Sequence, residues 1–210
     1  GRSGGPALAS IEALADWVLA LLGALGIEQA MLVGHSMGSL IALEAAARAP
    51  DRITRLALVG SVFPMPVAPP LLEATLSARE RAHGMINQWS YAPQSQLGAS
   101  SVPGVNLTAL NQRLMQRQAP GVLHRDMSAC NAYAAGFESA AKVRCPTLLL
   151  SADLDRMTPP KVLGPLVQAL GNAAQVRRVV LSGAGHAMMA EAPGAVLDAL
   201  WNFAGARPSS

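Results

Sequence analysis

A short apolar run, Ala30-Met31-Leu32-Val33-Gly34, leads with almost no spacer into a helix-forming stretch from Met37 to about Ala49, which Pro50 stops. The run does not alternate apolar with polar residues, so both of its faces need cover. Strands of that kind belong to parallel sheets flanked by helices. The rhythm recurs along the chain. Ile53 to Gly60, Thr147 to Ser151 and Val176 to Leu181 read as further strands, while Pro160 to Leu170 and Pro193 to Phe203 read as helices. Ahead of them, Pro6 to Leu25 reads as a helix capped by Ser10 or an earlier residue, with Leu, Ile, Val and Trp17 on its apolar face. The alternation predicts an α/β fold: a mostly parallel sheet of about four strands with crossover helices.

At 210 residues the chain is long enough for one well-buried core and too short for two large domains. Hydrophobic residues make up 51% and charged residues 14%, which excludes intrinsic disorder. The net charge of +3 is spread rather than gathered, and Arg177-Arg178, the tightest pair, reads as the start of a strand. With aromatics at 4% there is no stacking platform and no basic stripe, which excludes nucleic-acid binding. Cys130 and Cys145 have no spacing that requires a disulfide and read as buried thiols of a reducing compartment. No C-x-x-C pair exists and the four histidines are far apart, so no metal is expected. Ile11 to Ile27 is the most apolar stretch, but Glu12 and Asp16 interrupt it and it falls short of the roughly 20 residues of a membrane span. No signal leader is seen, and the expected location is the cytoplasm.

Between the second and third strands the rhythm breaks. Residues 61–142 open with Pro64, Pro66, Pro69 and Pro70, turn polar and helical, and contain a Gly/Ser/Pro loop around Gly98 to Gly104. This is too long for a crossover. It predicts a helical cap over a core formed by residues 1–60 and 143–210.

The chemistry centres on Gly34-His35-Ser36-Met37-Gly38, set between strand and helix. A reversal that sharp forces strained backbone on Ser36 and lifts its hydroxyl above the sheet, and the flanking Gly34 and Gly38 are expected to remove side chains that would clash. The amide of Met37, at a helix N-terminus, can donate to an oxyanion formed beside Ser36. A phosphate-binding loop is the competing explanation of a glycine-rich turn, but no Lys follows the glycines.

Through this pentapeptide and two later runs, the chain resembles the α/β hydrolases whose nucleophile turn reads Gly-His-Ser-Met-Gly. The resemblance extends over nearly the whole chain. It implies an α/β-hydrolase fold and a Ser-Asp-His triad in that chain order. The acid position matches Asp155 in Ser-Ala-Asp153-Leu-Asp155-Arg-Met-Thr-Pro-Pro, with Asp153 as runner-up. The base matches His186 in Gly185-His186-Ala-Met-Met-Ala-Glu191-Ala-Pro193. In those roles His186 takes the Ser36 proton and returns it to the leaving group, while Asp155 orients the ring. His35 is assigned to packing or lining beside the turn, and His83 and His124 to ordinary places in the cap. Met85, Trp89 and Leu114 are expected to help line an acyl pocket.

Relatives of this kind carry further strands ahead of the first helix, and Gly1-Arg2-Ser3 looks like the tail of a His-Gly-x-Gly-x-Ser segment that follows them. The resemblance therefore implies that the chain begins inside the fold. Ala30 to Gly34 would then lie at an open, uncharged sheet edge, which predicts pairing with a second chain, most simply in a homodimer. A second oxyanion donor would also be missing, at a cost of about 100- to 1,000-fold in turnover. The expected activity is hydrolysis of a small carboxylic ester through an acyl-enzyme on Ser36, without cofactor. A serine at the turn argues against haloalkane dehalogenases and epoxide hydrolases, which carry Asp there. Carbon–carbon bond hydrolysis or acyl transfer by the same triad, or a catalytically impaired binding or assembly role, are the alternatives.

Overall fold

A computed structural model of the chain describes residues 4–100 and 102–205. The Gly1-Arg2-Ser3 segment and the tail from Arg207 to Ser210 lie outside the described residues. Four strands, β1 (Ala30–His35), β2 (Ile53–Val59), β3 (Thr147–Ala152) and β4 (Val176–Leu181), form one sheet in the order β1-β2-β3-β4. Every pairing is parallel. Helices α1 (Ile11–Ala24) and α2 (Met37–Arg48) lead into and out of β1. Six helices follow β2: α3 (Pro69–Ser77), α4 (Arg79–Ser90), α5 (Pro93–Gln96), α6 (Leu107–Gln116), α7 (Val122–Ala132) and α8 (Gly136–Lys142). Between β3 and β4 lies α9 (Gly164–Ala169), and after β4 come α10 (Met188–Glu191) and α11 (Pro193–Ala204).

The sheet separates two cores. On one side Leu40 and Leu43 of α2 and Ile11 of α1 pack with Leu56, Leu58 and Leu149. On the other, Val196 and Phe203 of α11 pack with Ala57, Leu148 and Leu150. Each fully buried Leu contributes about 1.5–3 kcal/mol relative to exposure. A third cluster, including Leu71, Ile86 and Leu123, lies wholly within the helical insertion.

Local signals explain where the elements begin and end. The Ser10 side chain accepts a hydrogen bond from the Ala13 amide at 3.1 Å, so α1 starts at Ile11 rather than Pro6. Its Trp17 does not fill the apolar face as expected: it is half exposed, and Ile11 and Ala15 carry the burial. The helix expected from Pro160 to Leu170 is broken into a short 3-10 turn at Pro160–Val162 and α9, whose second residue is Pro165. The two sheet edges differ. Arg177 and Arg178 lie exposed on β4, whereas β1 carries no charged residue and leaves Val33 half exposed. Among the described residues nothing pairs with the outer edge of β1.

One buried carboxylate ties α2 to the insertion. Glu44 accepts hydrogen bonds from the hydroxyl of Tyr133 at 2.6 Å, the hydroxyl of Ser139 at 2.5 Å and Nε of Arg48 at 2.7 Å. Burial alone pushes the Glu44 pKa up, but these donors and the Arg48 charge together hold it below the ordinary value. A carboxylate with a depressed folded pKa stabilises the fold fully above its unfolded pKa, and that contribution disappears as pH falls through the folded value. Glu44→Gln is therefore expected to cost about 2 kcal/mol near neutral pH. The gap to the parent in urea unfolding should narrow as pH drops below about 4.3. Parallel stability curves across that window would count against the assignment.

Candidate active site

At the end of β1 the backbone of Ser36 adopts φ 54° and ψ −124°, the one positive φ outside glycine among the described residues. Such a conformation costs on the order of 1–3 kcal/mol and persists only where its surroundings enforce it. Here they do. The Ser36 amide donates to the Val59 carbonyl at 2.9 Å, and its carbonyl accepts from the amide of Ser39 at 2.8 Å and the Ser39 hydroxyl at 2.5 Å. A side chain on Gly34 would overlap the Gly38 carbonyl and the Ser39 Cα, so strand and helix close up only because residue 34 has none. Gly38 departs from expectation: a Cβ there would meet nothing within 4 Å. The clash relieved at this turn belongs to Gly34 alone. Met37 occupies the first turn of α2, where amides have no partner within the helix.

Asp155 follows β3 and is buried. Its Oδ1 accepts from the amides of Met157 and Thr158, both at 2.8 Å. Its Oδ2 accepts from the Thr158 hydroxyl at 2.6 Å and meets His186 Nδ1 at 2.9 Å. Burial would raise the Asp155 pKa, but the His186 bond and charge and the Thr158 donors together bring it below the ordinary value. An ionised Asp155 makes Nδ1 of His186 the protonated nitrogen and leaves Nε2 as a free base. Asp153, the alternative acid, accepts instead from the Ser182 hydroxyl at 3.0 Å and the Gly183 amide at 2.8 Å, and so staples the loop after β4.

His35 does more than fill space. Its Nε2 lies 2.9 Å from the His186 carbonyl oxygen, and the two rings are 4.6 Å apart. Burial first, then the neighbouring His186 charge, lowers the His35 pKa to about 4, so the ring is neutral at physiological pH and donates this bond. Gly60, with φ 55°, makes room for both rings: a Cβ there would come within 3.2 Å of His186 and 3.3 Å of His35.

The loop bearing His186 is strapped to the insertion. Glu191 accepts from the Gly185 amide at 2.7 Å with one oxygen and from the Ala92 amide at 2.8 Å with the other. The Ala187 amide donates to the Ser90 carbonyl at 2.9 Å, and the Gln94 side chain to the Gly183 carbonyl at 2.6 Å. Gly185 is required at this junction, because a Cβ would press on the Ser90 carbonyl at 2.7 Å. Thr158, Gly60 and the Glu191 strap were not assigned roles from sequence. The Asp155-x-x-Thr158 spacing of a side-chain-capped turn is the signal that could have revealed the first.

Two cavities meet at Ser36. One, of about 460 Å³, includes Met37, Val67, Leu71, Trp89 and Asp126; burial raises the Asp126 pKa. The other, of about 390 Å³, includes His35, His186, Leu110 and Leu114. Both sizes suit small molecules. The three residues expected to share one pocket do not do so. Trp89 lines the first cavity, Leu114 lines the second, and Met85 lines neither, packing instead against the insertion's own core. His124 bonds Thr75 at 2.8 Å, and His83 is fully buried with neither ring nitrogen partnered among the described residues.

The family described as the alpha/beta hydrolase family matches residues 1–199. The chain belongs to the α/β-hydrolase family. Among curated relatives, "Putative carbamate hydrolase RutD" of Klebsiella pneumoniae is 26% identical over 204 residues, 89% of this chain and 71% of that protein. Its namesake in Agrobacterium fabrum is 43% identical over 63 residues, 29% of this chain and 24% of that protein. Among solved structures, the enol-lactonase from Burkholderia xenovorans LB400 superposes with a TM-score of 0.85 at 24% identity, covering 98% of this chain and 77% of that one. A thermophilic esterase superposes at 0.78 and 25% identity, with the same two coverages. This α/β hydrolase thus spans only part of the length of each of these proteins. No helix among its described residues is long and apolar enough to cross a membrane.

Proposed function

We propose that this α/β hydrolase cleaves carboxylic esters through an acyl-enzyme on Ser36, with His186 as base and Asp155 as its orienting acid. The observation that carries the reading is the buried Asp155–His186 bond of 2.9 Å, with His186 lining the same cavity as the strained Ser36. In the first step the Ser36 oxygen bonds the acyl carbon as its proton passes to Nε2 of His186. The carbonyl oxygen takes the negative charge beside the Met37 amide. As the carbon–oxygen bond to the alcohol breaks, His186 returns the proton to that oxygen. Water repeats the sequence and releases the acid. A carbamate presents the same kind of carbonyl, and the relatives named for carbamate hydrolysis make carbamates part of the substrate range to be tried.

A fluorophosphonate probe tests the reading without knowledge of the substrate. Ser36 should label, and His186→Ala should slow labelling by about 1,000-fold or more while the fold, read by circular dichroism, persists. Labelling at another residue, or unchanged labelling in the variant, would overturn the triad. Turnover of p-nitrophenyl esters, carbamates and diketones then separates ester cleavage from carbon–carbon cleavage.

In this reading residues 61–142 act as a cap over Ser36, supported by α4 and α7, which contribute to both cavities, and by α3 and α6, which contribute to one each. The free thiols of Cys130 and Cys145 suit a reducing, cytoplasmic setting. The uncharged outer edge of β1 pairs with another chain, most simply a second copy. Light scattering at low micromolar concentration is expected to give a dimer mass. A monodisperse monomer whose β1 amides resist hydrogen exchange would refute the pairing.

A further inference from the structure

The two cavities at Ser36 share three residues, Ser36, Met127 and Met157, and divide the rest of the proposed machinery between them. Met37, the oxyanion donor, lines the first cavity only, and His186 lines the second only. That asymmetry bears on how an ester can sit. The acyl carbon bonded to Ser36 carries three other groups: the carbonyl oxygen, the acyl chain and the alcohol oxygen. The alcohol oxygen must receive its proton from His186 as its bond to carbon breaks, so it has to lie on the His186 side. The carbonyl oxygen is drawn to the Met37 amide, and the acyl chain is left to the Met37 side.

We infer that the cavity containing His186 holds the alcohol portion of the substrate and the cavity containing Met37 holds the acyl portion. This rests on the ester-hydrolase reading of Ser36. The wall of the alcohol cavity states its chemistry. Leu107, Leu110 and Leu114 of α6, with Met115 and Ile86, make the wall mainly apolar, with Asn111, Ser90 and Tyr91 as its polar interruptions. Leu110 and Leu114, one helical turn apart, are 52% and 54% exposed, unusual for leucines that could have been buried inside the insertion. A bound alkyl or aryl group would cover them. The alcohol portion is therefore apolar, and Leu110 and Leu114 select it. Val67, Ala68 and Leu71, on the approach to α3 and its first turn, form the corresponding aliphatic wall of the acyl cavity, which also carries the charged Asp126 and Arg156.

Two bulky substitutions and two ester series test the division. Leu114→Trp narrows the alcohol cavity and Ala68→Trp the acyl cavity. For each protein, kcat/KM is measured by pH-stat on ethyl acetate, hexyl acetate and ethyl hexanoate. Leu114→Trp is expected to lower the hexyl acetate to ethyl acetate ratio by about 10-fold, with the ethyl hexanoate to ethyl acetate ratio shifting by less than about twofold. Ala68→Trp is expected to do the reverse. The opposite pattern would exchange the two cavities and overturn the inference. So would both ratios falling together in either variant, which would describe one undivided site. If the parent protein labels at Ser36 but turns over none of the three esters, the ester reading fails first and the division falls with it.

Discussion

Asp155→Asn is expected to lower kcat by about 10,000-fold while leaving the protein folded. The carboxamide oxygen of the variant side chain can still accept from the Met157 and Thr158 amides, so the turn after β3 survives. Its NH2 group, however, faces Nδ1 of His186, where a carboxylate oxygen now lies at 2.9 Å. Two donors cannot share that contact. The ring must accept there instead, which moves its proton to Nε2 and removes the base that Ser36 needs. Asp153→Asn provides the comparison, because Asp153 touches only the Ser182–Gly183 turn. It should change kcat less than about fivefold. Steady-state turnover on one ester, with circular dichroism as the check on folding, decides the matter. A loss below tenfold in Asp155→Asn would mean that the His186 ring is held without its acid.

Gly34→Ala and Gly38→Ala should differ sharply although both glycines belong to one pentapeptide. At position 34 the new methyl would collide with the Gly38 carbonyl and the Ser39 Cα, backbone atoms that cannot swing aside. Either β1 separates from α2 or the Ser36 backbone relaxes, and either way the strained turn is lost. The expected cost exceeds about 3 kcal/mol in urea unfolding, with fluorophosphonate labelling of Ser36 abolished. At position 38 the methyl meets open space, in a helix that prefers Ala to Gly by up to about 1 kcal/mol. Stability there should hold or rise slightly. Equal costs at the two positions would show that the overlap at residue 34 is relieved by movement elsewhere.

The residues of the candidate site that were legible in the sequence share one property: their positions are fixed by chain-local geometry. Ser36 must follow a strand and precede a helix, and Asp155 and His186 must follow strands that lie side by side in the sheet. The parallel sheet was legible for the same reason, since uninterrupted apolar runs such as Leu148-Leu149-Leu150 admit only a strand covered on both faces. What failed to show were properties decided across the chain. Met85, Trp89 and Leu114 all look like pocket residues, yet the packing of α4, α6 and α7 sends them to three different places. Trp17 is exposed because α1 turns Ile11 and Ala15 inward, a choice its composition does not announce. Gly38 sits in a motif beside Gly34 but has no steric duty of its own. The Glu191 contact joins residues 99 positions apart, a separation over which no sequence period operates.

That strap also limits how the insertion could be exchanged in engineering. Ser90, Ala92 and Gln94 belong to the insertion by chain order, but their hydrogen bonds to Gly183, Glu191 and Ala187 make them part of the scaffold that carries His186. A chimera built by swapping residues 61–142 for another protein's helices would cut this scaffold, however well the new helices packed. The transplantable portion lies on either side of the Ser90–Gln94 corner. Chimeras that retain the corner should keep His186 in register, so new substrate ranges are best sought by grafting α3, α6 and α7 around it.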